Sequence, residues 1–239
     1  MKKHLSLAAA VFTISFGASF IPAQPAPQPA FSADAAAEQI TNLDTLKAEL
    51  KQYHDCTCKC GCYAHDLDVQ GDRAIAFLRR RAAQRRSGEK LAVVLDIDES
   101  TLSNYQDLVG SDFAFNTAAF KAWVVSAQAP AIPGTLRIYK EAQRLGFIVF
   151  FLTGRSETER DATERNLRAQ GFANWQQLTM RAANQATETA EAYKSAARRQ
   201  IAAEGYKLAL NVGDQWSDLK GNPEAEFSVK YPDPFYSIK

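Results

Sequence analysis

Two aspartates two residues apart, in Asp96-Ile97-Asp98-Glu99-Ser100, close the apolar run Leu91-Ala92-Val93-Val94-Leu95. A run with no polar residue reads as a strand buried on both faces of a mostly parallel sheet. Ligands of open α/β sheets bind beyond the carboxyl ends of such strands, so Asp96 and Asp98 stand at the expected mouth of a site. Ionised at about 4 Å in an effective dielectric near 20, the two would repel by roughly 4 kcal/mol. A divalent cation or a shared proton removes that conflict. The plainer alternative is an N-cap aspartate followed by an acidic first turn.

Later segments repeat the pattern of an apolar strand running into polar residues, each with a different chemical type. Phe147-Ile148-Val149-Phe150-Phe151-Leu152 ends in Thr153-Gly154-Arg155. Lys194 lies in the helical stretch Ala190 to Ala203, and Leu208-Ala209-Leu210-Asn211-Val212 runs into Gly213-Asp214-Gln215-Trp216-Ser217-Asp218. Carboxylate pair, hydroxyl, lysine and second carboxylate pair form a set suited to a phosphoryl group.

The strings Val94-Leu95-Asp96-Ile97-Asp98-Glu99 with Leu102-Ser103-Asn104, Leu152-Thr153-Gly154-Arg155, Tyr193-Lys194-Ser195 and Gly213-Asp214-Gln215-Trp216-Ser217-Asp218-Leu219 carry a family likeness. In order, type and spacing they resemble the four motifs of the haloacid dehalogenase (HAD) superfamily of phosphohydrolases. Within it the chain is most similar to the secreted acid phosphatases, bacterial class B and C enzymes and the plant proteins related to vegetative storage proteins. Tyr53-His54-Asp55 and Lys230-Tyr231-Pro232-Asp233-Pro234-Phe235-Tyr236 share the likeness, which runs from about residue 40 to Lys239. Ser100 stands where that family usually has threonine, and the cysteines at 56 to 62 replace a short Ser-Gly type link.

The resemblance implies hydrolysis of phosphate monoesters through an aspartyl-phosphate. Asp96 would be the nucleophile, Asp98 the acid and base, and Lys194 the neutralising cation. Thr153 and Gly154 would hold the phosphoryl group. Mg²⁺ would be held by the Asp96 and Asp214 carboxylates and the Asp98 backbone carbonyl. Asp218 would hold a metal-bound water or bind directly. The geometric requirement is that the Lys194 ammonium face Asp96 and that the two acidic clusters lie close together. A 5′-nucleotidase is one form of this activity. The alternatives are a non-catalytic storage or binding protein on the same fold, and a phosphotransferase.

A formal net charge of +1 on 239 residues offers no basic surplus, so no nucleic-acid polymer is expected as a partner. A small phosphate monoester is the expected partner, and assembly as a homo-oligomer stays open. Lys2, Lys3 and His4 precede an apolar stretch from Leu5 to Ile21, then a Pro/Ala-rich run to Ala37. This is a secretory signal pattern over 1–37, with cleavage near Ala23 or after Ala35. It predicts export to the periplasm or the outside, with no membrane anchor after cleavage. An uncleaved anchor is the competing reading, because about 17 apolar residues approach the lower limit of a spanning helix. Cys56, Cys58, Cys60 and Cys62 are open to disulfides, thiolate metal binding or free thiols.

To position these groups the pattern predicts a three-layer, doubly wound parallel α/β sandwich, HAD-like, spanning 38–239. Segments 38–88 and 105–130 would add a small helical cap. Ile40, Leu43, Leu46, Leu50 and Tyr53 recur at helical spacing over 38–53, with the stripe turned to a core. A helix is predicted from Asp66 to Arg86, its arginines solvated near the C-terminus. Residues 105–115 are expected to be irregular, with helices near Asn116–Ser126 and Thr135–Leu145. The capping-box pattern Ser156-Glu157-Thr158-Glu159 predicts a helix directly after Arg155, its free N–H groups beside Thr153. Strands are predicted at Gln177–Met180 and Glu226–Val229.

Overall fold

The computed structural model describes residues 41–58 and 62–238; the predicted signal segment and Cys60 lie outside them. Five strands, β1 (Lys90–Leu95), β2 (Ile148–Ser156), β3 (Gln177–Arg181), β4 (Tyr206–Gly213) and β5 (Phe227–Lys230), form one sheet in the order β3-β2-β1-β4-β5. Every pairing is parallel. Order reverses at β1, so the strand carrying Asp96 is central and flanked by the two that lead to Thr153 and Asp214.

Helices α1 (Leu43–Asp55), α2 (Tyr63–Ala83), α3 (Tyr105–Gly110), α4 (Thr117–Ser126), α5 (Pro133–Arg144), α6 (Arg160–Ala169), α7 (Ala190–Ala203) and α8 (Trp216–Leu219) complete the described chain. Alternate strand residues face opposite layers. Leu91, Val93, Leu95, Val149 and Phe151 share a core with Leu67, Ala74 and Leu78 of α2, Ile138 and Tyr139 of α5, and Leu167 of α6. Ala92, Val94, Phe150 and Leu152 pack against Tyr193, Ala197 and Ile201 of α7 on the other face. The molecule is therefore the doubly wound, three-layer α/β fold that the alternating pattern predicts. Among the described residues no helix is long and apolar enough to cross a membrane.

Helices α2 and α5 meet at a glycine pair: a Cβ on Gly71 would sit 3.4 Å from Gly134 Cα, and one on Gly134 would sit 3.4 Å from the Leu67 carbonyl oxygen. Small residues there let the two backbones touch.

Several elements differ from expectation. Helix α1 forms, N-capped by the Asn42 side chain, but buries no residue; Leu43 is 63% exposed. Ile40 of the apolar stripe lies outside the described residues, and among the described ones only Tyr53 packs against the main core. Residues Tyr105–Gly110 are helical rather than irregular. Ser156 and Glu159 do form the capping box, but β2 continues to Ser156, a 3-10 turn follows, and α6 begins at Arg160. The Ser156 N–H is taken by Glu159 and the Arg155 N–H by Thr153 Oγ1 at 3.1 Å, so neither is free beside Thr153.

Arg81 is the other departure. It is 8% exposed rather than solvated, and it bridges Glu226 (Nε to Oε2, 2.6 Å) and Glu89 (Nη2 to Oε1, 2.8 Å), joining α2 to the strand entering the sheet's far edge. Hydrogen bonds from Arg81 and the Arg86 N–H pull the Glu89 carboxyl down to about 2. Burial raises Glu226, but Arg81 and Lys207 overcome it and leave a net lowering. Folded pKa values below the unfolded value of about 4.3 mean that this stabilisation is complete above that pH and is lost as pH falls toward 2. Arg81→Met is expected to lower the Tm by about 5 °C at pH 7. Its difference from wild type should shrink as thermal melts are repeated from pH 5 to pH 2.5; an unchanged difference would exclude this ion pair as the cause.

Candidate active site

The loop after β1 folds back tightly. The Ile97 carbonyl accepts from the N–H groups of Thr101 and Leu102, both at 2.8 Å, and Glu99 adopts φ +53°. A non-glycine residue holds that left-handed conformation only when its surroundings over-determine it. Here Glu99 is fully buried, and its carboxylate accepts from Asn104 N (2.5 Å), Asn104 Nδ2 (3.0 Å) and Tyr236 Oη (3.1 Å). Burial first, and then the charge of Asp98, push the Glu99 carboxyl up to about 8.

Asp96 follows Leu95 directly and is 5% exposed. Lys194, projecting from α7 on the opposite layer, donates to Asp96 Oδ1 at 2.5 Å and also to Asp218 Oδ1. The ammonium therefore faces the first aspartate, and one carboxylate oxygen from each of Asp96, Asp214 and Asp218 lies within 4.8 Å of the others. Both geometric requirements are met. Among the described residues Asp96 Oδ2 receives no hydrogen bond.

Asp214 sits where β4 ends. Its Oδ1 accepts from Ser100 Oγ (2.9 Å) and its Oδ2 from Gln215 Nε2 (2.7 Å). The hydroxyl at position 100 thus has a definite partner, which either serine or threonine can supply. Gln215 also donates to Asp233 Oδ2 (2.6 Å), drawing the C-terminal segment against the cluster. Asp218 folds back over the strand end through the Gln215 N–H (2.8 Å to Oδ2), while Arg198 and Asn211 hold its carbonyl. A Cβ on Gly213 would collide with the Asp218 side chain, so that position admits only glycine without a shift.

Three buried carboxylates lie together with one ammonium, which pairs with two of them. Burial, and after it the field of Lys194, set the balance at Asp96, whose carboxyl is pushed up to about 7 with Asp218 and Asp98 adding to the rise. Asp214 is raised well above the ordinary range by burial and by Asp96, Asp218 and Asp233. Lys194 is raised in turn, since Asp218 and Asp96 outweigh its own burial. An excess of buried negative charge with an all-oxygen donor set fits a hard divalent cation.

Asp98 is separated from this cluster by its partners. Arg155 Nε (2.9 Å) and Nη2 (2.7 Å) and Asn104 Nδ2 (2.9 Å) all donate to Asp98 Oδ1, whereas among the described residues Oδ2 receives only the Thr153 hydroxyl at 3.3 Å. Burial would raise this carboxyl, but the Arg155 charge and hydrogen bonds prevail and hold it below the usual range. Thr153 is fully buried, and Gly154 lies exposed at the rim with nothing near where a Cβ would stand.

Read from the sequence, Glu99, Asn104 and Gln215 had no role of their own. Arg155, Asn104 and Tyr236 were visible only as members of family-like strings, because their partners are remote in sequence. His54 stacks on Tyr105, as befits a structural residue. Near it, Cys58 is disulfide-bonded, and Cys62 is a free thiol that donates to the Cys58 carbonyl at 2.7 Å. A Cys56–Cys62 bridge is thus not formed.

Comparison with known proteins agrees with this geometry. The sequence matches the family "HAD superfamily, subfamily IIIB (Acid phosphatase)" over residues 26–239. It is 41% identical to Acid phosphatase 1 of Solanum lycopersicum over 148 residues, 61% of this chain and 58% of that protein. It is 36% identical to a Stem 31 kDa glycoprotein of Glycine max over 162 residues, 66% of this chain and 64% of that protein. The chain thus spans less than two thirds of the length of these curated relatives. The crystal structure of the class C acid phosphatase from Bacillus anthracis with tungstate bound shares the fold, with TM-score 0.67 at 18% identity over 82% of this chain and 86% of that one. The chain belongs to the HAD superfamily, subfamily IIIB, the acid phosphatases.

Proposed function

We propose that this protein is a phosphomonoesterase that works through a phosphorylated Asp96. The observation that carries the reading is the Lys194 ammonium set between Asp96 and Asp218, with Asp214 beside them. A storage protein has no use for three buried acids gathered around one lysine.

Asp96 Oδ2, the oxygen not held by Lys194, attacks phosphorus in line with the departing alkoxide. The P–O bond to the alkoxide breaks as the Asp96–phosphorus bond forms. The Thr153 hydroxyl and the Gly154 backbone, at the rim, hold the phosphoryl oxygens, and Lys194 offsets charge on Asp96 and the transferring group. Asp98 Oδ1 is saturated by three N–H donors, so Oδ2 is the atom that takes up a proton, against the Arg155 field and therefore only in acid, delivers it to the leaving oxygen and then withdraws one from the attacking water. Water reaching the phospho-aspartate releases phosphate and restores Asp96. The Asp96, Asp214 and Asp218 carboxylates and the Asp98 carbonyl would hold Mg²⁺, which when bound supplies positive charge against the phosphate dianion.

The leaving group is recognised loosely in this reading. Trp123 Nε1 and Tyr236 Oη are spent on Asn104 and Glu99, and Tyr105 is stacked on His54, so the polar tips of the first two and one face of the third are already engaged. Nucleoside monophosphates are one class within a broad range, and a substrate panel ranks them against sugar and aryl phosphates. Lys2, Lys3 and the apolar run to Ile21 support export.

With Mg²⁺, the protein is expected to release phosphate from p-nitrophenyl phosphate. Asp96→Asn should remove at least about 10³-fold of the activity, and Thr153→Val about 10²-fold. An Asp96→Asn protein with near wild-type turnover would sink the mechanism, and a wild type with no turnover would favour the storage alternative. Adding glycerol and finding a new phosphate ester would reveal phosphotransfer instead.

A binding readout is independent of turnover. Chelator-treated wild type should gain about 5 to 10 °C in Tm on adding Mg²⁺ at a hundred times its Kd. Asp214→Asn should melt higher than wild type in metal-free buffer, because a like charge is gone, and should lose the Mg²⁺ response. Equal responses in both proteins would remove Asp214 from the ligand set.

A further inference from the structure

We infer that Asn104 is the positioning residue that aims Asp98, and that Trp123 on α4 fixes Asn104; the inference rests on the acid role of Asp98 proposed above. Asn104 is 1% exposed and makes contacts at both ends of its amide. Nδ2 donates to Asp98 Oδ1 (2.9 Å) and to Glu99 Oε2 (3.0 Å), while Oδ1 accepts from Trp123 Nε1 (2.9 Å) and more weakly from Arg155 Nη2 (3.4 Å).

The orientation of the amide follows from its neighbours. Indole and guanidinium N–H groups can only donate, whatever the protonation of Asp98 and Glu99, so the amide oxygen faces Trp123 and Arg155. A flipped amide would turn its NH₂ against two donors and its oxygen against two carboxylates. One orientation satisfies all four contacts, so the side chain is locked, and it transmits that lock to Asp98.

Trp123 gives the arrangement its meaning. It lies on α4, a helix N-capped by the Asn116 side chain and packed against α6, in the segment expected to cover the site. Through Nε1 this helix specifies which end of Asn104 faces the acid. Asp98 Oδ2 is thereby left to face the leaving group with only Thr153 as partner. Helix α4 acts on the aim of the proton donor through Asn104.

Leaving groups of different basicity separate this role from a merely structural one. An alkyl phosphate needs its oxygen protonated as it departs; p-nitrophenolate leaves unprotonated. The ratio kcat/KM covers steps only up to departure, so the later base role of Asp98 does not enter. Asn104→Ala should lower kcat/KM for ethyl phosphate about 30- to 100-fold and for p-nitrophenyl phosphate less than about 5-fold. Trp123→Phe should show the same selectivity at about 5- to 10-fold. In an Asp98→Ala background both effects should vanish.

Equal losses on the two esters, or losses that persist without Asp98, would overturn the inference. Should Asn104→Ala fail to fold by circular dichroism, Trp123→Phe carries the test alone, and an absence of ester selectivity there overturns it equally. A wild type inactive on both esters sinks the phosphatase reading and this inference together. An active wild type with ester-independent losses sinks this inference only.

Discussion

One buried ammonium holds the site together. Lys194 reaches from α7 to Asp96 and Asp218, which follow β1 and β4. Removing any of these charges from water costs several kcal/mol, and only close pairing offsets it. The lysine therefore ties the end of β1, the second acidic turn and α7 into a single electrostatic unit. Arg198, fully buried one helical turn further along α7, braces the Asp218 carbonyl from behind.

That unit still carries more negative than positive charge, and the acids report it by resisting ionisation. Asp98 escapes this because Arg155 stands beside it. Two carboxylates two residues apart thus sit in opposite fields, one in an acid-rich basin and one against a guanidinium. In the proposed mechanism, different environments for chemically identical groups are what allow a nucleophile and a proton carrier to be made from the same residue type.

The fold was largely legible because apolar runs of strand length ended in polar residues at regular intervals, and those runs proved to be β1, β2 and β4. The convergence of Asp96, Lys194, Asp214 and Asp218 was legible through family-like strings. What stayed hidden depended on partners far along the chain. Nothing local distinguishes Arg81, buried between Glu89 and Glu226, from its solvated neighbours Arg79 and Arg80. The apolar spacing of α1 implied burial, yet a periodic stripe states only that a face exists, not that anything covers it. Asn104 lay in plain view within a motif string, but its two-ended role needs Trp123, Glu99 and Arg155 in three dimensions.

The strand order carries a consequence for how the molecule matures. Lys194 is 98 residues from Asp96, and Ser100 is 114 from Asp214, so the centre exists only after β4 has docked beside β1. Such non-local pairings form late, because loop closure precedes any reward. A nascent chain that has made only β1 and β2 presents an aspartate with no cation to restrain it and no acid partner across the gap. In the proposed mechanism the reactive centre is thereby withheld until folding is nearly finished.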